Sequence, residues 1–184
     1  MNTQIKTALK KHRVVPVITL HELAQAAPLA RRLAKEGYTV AEVTLRTDIA
    51  ASAIEAMKKA APGLVIGAGT VLSQADIERA LKAGSDFIVT PATSPALAAL
   101  LKAVPIPVFP GTATPTEAQT LYEQGFELLK FFPAKSNGGV PALKSMAAPM
   151  PHLKFMPTGG ITEKTAPDYL ALPNVIAVGG SWMV

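Results

Sequence analysis

Short β-branched runs alternate with alanine-rich helical stretches along nearly the whole chain, and this repetition restricts the fold more than any other feature. The strand candidates are Val14–Thr19, Thr39–Thr44, Leu64–Gly69, Phe87–Thr90, Val108–Gly111, Leu128–Phe131, Lys154–Thr158 and Val175–Gly179, eight in all. Helical patterns lie between them at Leu20–Glu36, Ile49–Ala61, Ser73–Ala83, Pro95–Ala103, Pro115–Gln124, Val140–Ala147 and Glu163–Leu170, and an amphipathic segment, Asn2–Lys11, precedes the first strand. Near-continuous apolar strands that alternate with helices build a parallel sheet covered on both faces. Eight repeats predict an α/β fold, a single (β/α)8 TIM barrel over residues 1–184, although 184 residues is below the usual size. The alternative is an open doubly wound sheet. No glycine fingerprint of a dinucleotide fold opens a helix, because Gly67-Ala68-Gly69 runs on into Thr70-Val71-Leu72. The last strand runs into Gly179-Gly180-Ser181-Trp182-Met183-Val184 with no helical pattern after it. The expectation is a barrel without a helix after its last strand in this sequence: either a C-terminal helix was removed or lies outside this sequence, or the N-terminal segment closes that side, which would otherwise be poorly covered.

Helix boundaries carry their own signals. Thr114-Pro115-Thr116-Glu117 combines an N-cap, a proline at N1 and a glutamate at N3, and Ser94-Pro95 predicts a second cap. Gly37, Gly84 and Gly125 each follow a helical run, the place of a C′ glycine.

Composition narrows the partners. Apolar residues make up 49% and charged residues 17%, so the chain can fill a core, and the net charge of +5 favours small anions. The basic residues are dispersed, and ten aromatics (one Trp, three Tyr, six Phe) form no basic–aromatic module, so no nucleic-acid partner is expected. The chain has no cysteine, which excludes a thiol nucleophile and a thiolate zinc site. His12, His21 and His152 are scattered, and His21-Glu22 lacks a second histidine, so neither a metal nor another cofactor is expected. The opening MNTQIKTALKKHR lacks the apolar run of a secretory signal, and no stretch is long enough to span a membrane. The expectation is a soluble cytoplasmic protein.

In a parallel barrel, functional groups gather at the C-terminal ends of the strands. Alternation along Val40-Ala41-Glu42-Val43-Thr44-Leu45-Arg46 puts Glu42, Thr44 and Arg46 on one face and the apolar set on the other. The polar column points into the barrel, unless this is an edge strand with a wet face or an internal Glu–Arg pair. The same alternation turns Lys130 inward with Leu128 and Phe132, while Leu129 and Phe131 pack under helices. Two readings stand for this lysine: a head that snorkels to water over aromatic rings, or an amine nucleophile served by Glu42 as acid–base. The turns Thr158-Gly159-Gly160 and Gly179-Gly180-Ser181 end the last two strands, where barrels commonly bind phosphate; two ordinary tight turns are the alternative. Thr70, after Gly67-Ala68-Gly69, either donates to a substrate oxygen or caps the next helix.

These segments resemble one family. V-x-E-V-T-L-R-T, G-A-G-T-V, the strand ending K-F-F-P-A followed by N-G-G, P-T-G-G-I and G-G-S-W occur in order, and the likeness runs from Val14-Val15-Pro16-Val17 to Trp182. The chain resembles the 2-keto-3-deoxy-6-phosphogluconate (KDPG) aldolases of the Entner–Doudoroff pathway, class I enzymes often also active on 4-hydroxy-2-oxoglutarate (KHG). The resemblance implies cleavage to pyruvate and glyceraldehyde 3-phosphate in a homotrimer of barrels. It implies Lys130 as the Schiff-base lysine, Glu42 as proton shuttle, and Arg46 with Thr70 as the holders of the substrate carboxylate. It further implies Pro91 and Phe132 in the substrate pocket, and Thr158, Gly159, Gly160, Gly179, Gly180 and Ser181 around the phosphate. Two departures stand out: Thr90-Pro91-Ala92 replaces a Ser-Pro-Gly common in the family, and no helix follows G-G-S-W. A phosphate-binding barrel isomerase or epimerase, and a non-catalytic barrel used as an assembly module, are the rival expectations.

Overall fold

The computed structural model describes residues 3–184, with side chains from Ile5 onward. Met1 and Asn2, the latter the first residue of the expected N-terminal helix, lie outside the described residues. The strands are β1 (Val14–Ile18), β2 (Val40–Thr44), β3 (Val65–Gly69), β4 (Ile88–Val89), β5 (Val108–Phe109), β6 (Gly111–Thr112), β7 (Leu129–Phe131), β8 (Phe155–Pro157) and β9 (Val178–Gly180). All the pairings among them are parallel, in the order β5-β4-β3-β2-β1-β9 and β6-β7-β8. The two sheets are one ring. β5 and β6 form a single stave broken at Pro110, which has no N–H to give a ladder. β8 meets β9 through the bridges Phe155–Val175 and Thr158–Gly179. Eight staves result, as the sequence predicts.

The helices are α1 (Thr3–Lys11), α2 (Ala26–Lys35), α3 (Ala50–Ala60), α4 (Gln74–Lys82), α5 (Pro95–Leu101), α6 (Pro115–Glu123), α7 (Gly139–Ala147) and α8 (Ala166–Leu170). Two start later than expected. The Leu20–Glu36 pattern begins with a 3-10 turn at Leu23–Gln25, and Glu163–Leu170 reduces to α8. The capping box at Thr114/Glu117 and the Ser94 cap are both present. Ser73 caps α4 by accepting from the Asp76 N–H. Gly37, Gly84 and Gly125 end their helices at positive φ, which other residues avoid.

Two apolar layers share the strands. Outward residues such as Ala41, Val43, Leu129, Phe131 and Phe155 pack under the helices. Inward residues Val15, Val40, Val65, Phe87, Val89, Phe109, Leu128, Met156 and Ala177 fill the lower interior, together with Ile5, Ala8 and Leu9 of α1. The i, i+3, i+4 spacing of those three puts them on one helical stripe, so α1 stoppers the floor of the barrel. The N-terminal segment therefore does not close the side of the ring beside β9, which was one of the two expectations. At that end Trp182 and Met183 pack, half-buried, against the outer core, and Arg32 donates to the Met183 carbonyl at 3.0 Å.

Candidate active site

Above the apolar floor the interior changes character. Glu42 and Lys130 reach across the ring from β2 and β7, staves four places apart. Lys130 Nζ donates to Glu42 Oε1 at 3.0 Å, with side-chain exposures of 4% and 0%. Neither group snorkels to water, and β2 is no edge strand. The expected inward faces are the observed ones, because Ala41, Val43, Leu129 and Phe131 are committed to the outer core. Lys130 Nζ also stands 5.3 Å from the centre of the Phe132 ring, near enough for a cation–π attraction. Two buried charges at this distance are stable only as a pair, and removing one strands the other at a cost of about 3–5 kcal/mol.

Glycines on β3 make the space. A Cβ at Gly69 would overlap the Glu42 carboxylate, and one at Gly67 would overlap the Phe87 ring. Gly69 is therefore part of the site's construction and Gly67 of the floor beneath it, roles their sequence motif did not disclose. Glu42 Oε2 has no protein hydrogen-bond partner among the described residues, and neither does Thr158 Oγ1; both are buried. A buried polar atom without a partner is uncommon and marks a place built to receive one.

A cavity of about 240 Å³ opens above the pair. Lys130, Phe132, Arg46, Thr158, Gly159, Gly160, Gly179, Gly180 and Ser181 line it, so one concavity gathers the lysine, the arginine and both glycine pairs, the second of which lies in β9 and is not the turn the sequence suggests. Arg46 is exposed at the rim, and its Nε donates to Thr70 Oγ1 at 3.1 Å. Thr70 holds φ +59, a left-handed conformation that is strained for a threonine and costs of order 1–3 kcal/mol. The strain sets its hydroxyl under Arg46. Thr70 is joined to the cavity through that contact and does not cap α4, whose N-cap is Ser73. Pro91 is placed elsewhere: its backbone packs where a Cβ on Gly111 would fall, and it does not line the cavity. Ala92, the departure from the family pattern, is exposed.

Three wall residues escaped the sequence reading: Val17, Thr19 and Ile161. Val17 and Thr19 could have been found by applying to β1 the alternation used on β2, since Val15 already marks the inward face. Lys135 is a fourth neighbour, its stem lying against Gly160. Among the described residues no cluster of three or more metal-ligating side chains occurs, and no helix is long and apolar enough to cross a membrane.

Comparison with known proteins follows the same outline. Residues 5–184 match the profile of the KDPG and KHG aldolase family. The chain is 42% identical over 183 residues to the KHG/KDPG aldolase of Escherichia coli strain K12, covering 99% of this chain and 85% of that protein. The KDPG aldolase of Legionella pneumophila, solved with pyruvate captured as a covalent carbinolamine, superposes with a TM-score of 0.93 at 41% identity, over 99% of this chain and 88% of that one. The 2-keto-3-deoxy-6-phosphogluconate aldolase of Zymomonas mobilis ZM4, solved with 3-phosphoglycerate, gives 0.91 at 42%, over 97% and 85%.

Proposed function

The chain belongs to the KDPG and KHG aldolase family, and from that premise we propose that Lys130 is its Schiff-base lysine and Glu42 its proton shuttle. The enzyme is a class I aldolase, a carbon–carbon lyase that cleaves KDPG to pyruvate and glyceraldehyde 3-phosphate. KHG is proposed as a second substrate. The observation that carries the assignment of residues is the buried Lys130–Glu42 contact at 3.0 Å beneath the cavity.

A proton that passes from Nζ to Oε1 along this hydrogen bond leaves a neutral amine, the form that attacks a ketone. Nζ adds to C2 of the keto acid, and the C2 oxygen takes a proton to give a carbinolamine. Loss of water forms the iminium. The C4 hydroxyl gives its proton to the Glu42 carboxylate, whose Oε2 has no protein partner. The C3–C4 bond then breaks, its electron pair moves into the iminium to make an enamine, and the aldehyde departs. Protonation at C3 and hydrolysis return pyruvate and free Lys130. Arg46, with Thr70 beneath it, neutralises the substrate carboxylate at the rim. The Gly159-Gly160 bend and the end of β9 at Gly179-Gly180-Ser181, with Thr158, take the phosphate through backbone N–H groups and hydroxyls. Phe132, whose ring lines the cavity, is assigned to the substrate pocket. A homotrimer, working in the cytoplasm on the Entner–Doudoroff pathway, completes the proposal; light scattering on the purified protein tests the trimer.

Borohydride trapping with pyruvate, followed by peptide mass mapping, tests the site. The expected result is a stable adduct on Lys130 that Lys130→Met cannot form. A folded sample that yields no adduct, or an adduct on another lysine, overturns it.

A further inference from the structure

Thr19 stands on the cavity wall just past β1, half-buried, and outside every motif that carries the family resemblance. Its hydroxyl lies 2.8 Å from another hydroxyl, Thr44 Oγ1. Thr44 is fully buried, and its hydroxyl donates to the Ile18 carbonyl at 3.1 Å. A hydroxyl has one proton and two lone pairs. The proton of Thr44 goes to Ile18, because a carbonyl can only accept. In the contact between the two threonines Thr19 is therefore the donor. The relay Thr19 to Thr44 to Ile18 C=O uses both protons, whereas the reverse direction would leave the Ile18 contact unmade. With its own proton committed to the wall, Thr19 Oγ1 offers the cavity lone pairs alone.

The place of Thr19 in the ring says what those lone pairs meet. β1 lies between β9, which carries Gly179 and Gly180, and β2, which carries Glu42. Thr19 lines the same cavity as Lys130 and both glycine pairs, so a substrate stretched from the lysine–glutamate pair to those glycines would pass β1 with the carbon between its reacting bond and its phosphate-bearing carbon. In KDPG that carbon, C5, bears a hydroxyl, a donor. In KHG the C5 carbon is itself a carboxylate, which only accepts and is repelled by lone pairs.

We propose that Thr19 is a specificity-determining residue of this enzyme, accepting a hydrogen bond from the C5 hydroxyl and so favouring the phosphorylated sugar acid over 4-hydroxy-2-oxoglutarate. The proposal rests on the aldolase assignment above. Its measure is the ratio of kcat/KM for KDPG to kcat/KM for KHG, in the wild type and in Thr19→Val, Thr19→Ala and Thr19→Ser. Loss of one neutral hydrogen bond to substrate lowers that ratio by about tenfold in Thr19→Val and Thr19→Ala. Thr19→Ser restores it to within about twofold, because the acceptor returns. Pyruvate trapping on Lys130 stays unchanged in all three variants, which separates specificity from damage to the catalytic pair. An unchanged ratio in Thr19→Val and Thr19→Ala, an equal loss on both substrates, or a serine variant that behaves like valine overturns the proposal. A wild-type protein that traps no pyruvate and cleaves neither substrate overturns the aldolase assignment first, and this inference with it.

Discussion

The floor and the mouth of the barrel are made by the same eight staves, yet they obey different rules. At the floor, inward positions are apolar and closely filled, with Ile5, Ala8 and Leu9 of α1 driven in from below. At the mouth, the next inward positions on β2, β7 and β8 hold Glu42, Thr44, Lys130 and Thr158, all buried. The floor gains stability from area removed from water. The mouth holds a buried ion pair, which is a weak contributor to stability and costly to break. One end of the barrel supports the fold and the other supports chemistry, and Gly69 on β3 keeps the second from being packed like the first.

Substitutions can break that contrast, and the largest effect is expected at the mouth. Glu42→Gln keeps the shape and a hydrogen-bonding side chain but ends proton transfer, so kcat for KDPG cleavage falls by about 10²–10⁴-fold with little change in substrate binding. Steady-state kinetics together with a binding measurement on the variant decide this; an unchanged kcat removes Glu42 from the mechanism. Truncating Lys130 to alanine is a poorer experiment than the sequence alone suggests. It leaves Glu42 buried and unpaired, so that variant loses stability as well as activity.

Leu9→Ala attacks the floor instead. It empties part of a fully buried site and costs about 2–5 kcal/mol in denaturant unfolding, with kcat near wild type in the folded fraction. A large kcat loss without a stability loss would mean that floor and mouth are not separable. Gly69→Ala tests the boundary between them. Its methyl group meets the Glu42 carboxylate, and the expected cost is about 1–3 kcal/mol with a fall in activity from the displaced glutamate. Full activity in that variant would show that Glu42 need not sit where it does.

The smallest effect lies outside the cavity, at the start of α6. The Ala113 backbone N–H beside Glu117 holds its carboxyl below the usual carboxylate range, helped by the N–H and hydroxyl of Thr114. A group whose value is lowered by folding stabilises at pH above its unfolded value. That stabilisation fades as the pH falls through the folded one. Glu117→Gln should therefore flatten the acid side of the stability–pH curve slightly and leave neutral-pH cleavage untouched. Identical acid limbs in the two proteins would remove the capping box from the pH response.

The sequence alone determined the stave count, the parallel order and the inward column of Glu42, Thr44 and Lys130. Those features follow from period and alternation, which are local. The caps at Thr114 and Ser94 were legible for the same reason: a cap is decided within four residues. Tertiary structure decided the rest. That Glu42 and Lys130, 88 positions apart, touch at 3.0 Å depends on ring closure, which no window of sequence contains. That α1 plugs the floor and does not flank β9 depends on which apolar surface was left open once the ring had formed. That Thr19 presents lone pairs to the cavity depends on where the protons of Thr19 and Thr44 go. Only the approach of β1 and β2 brings their partners within reach.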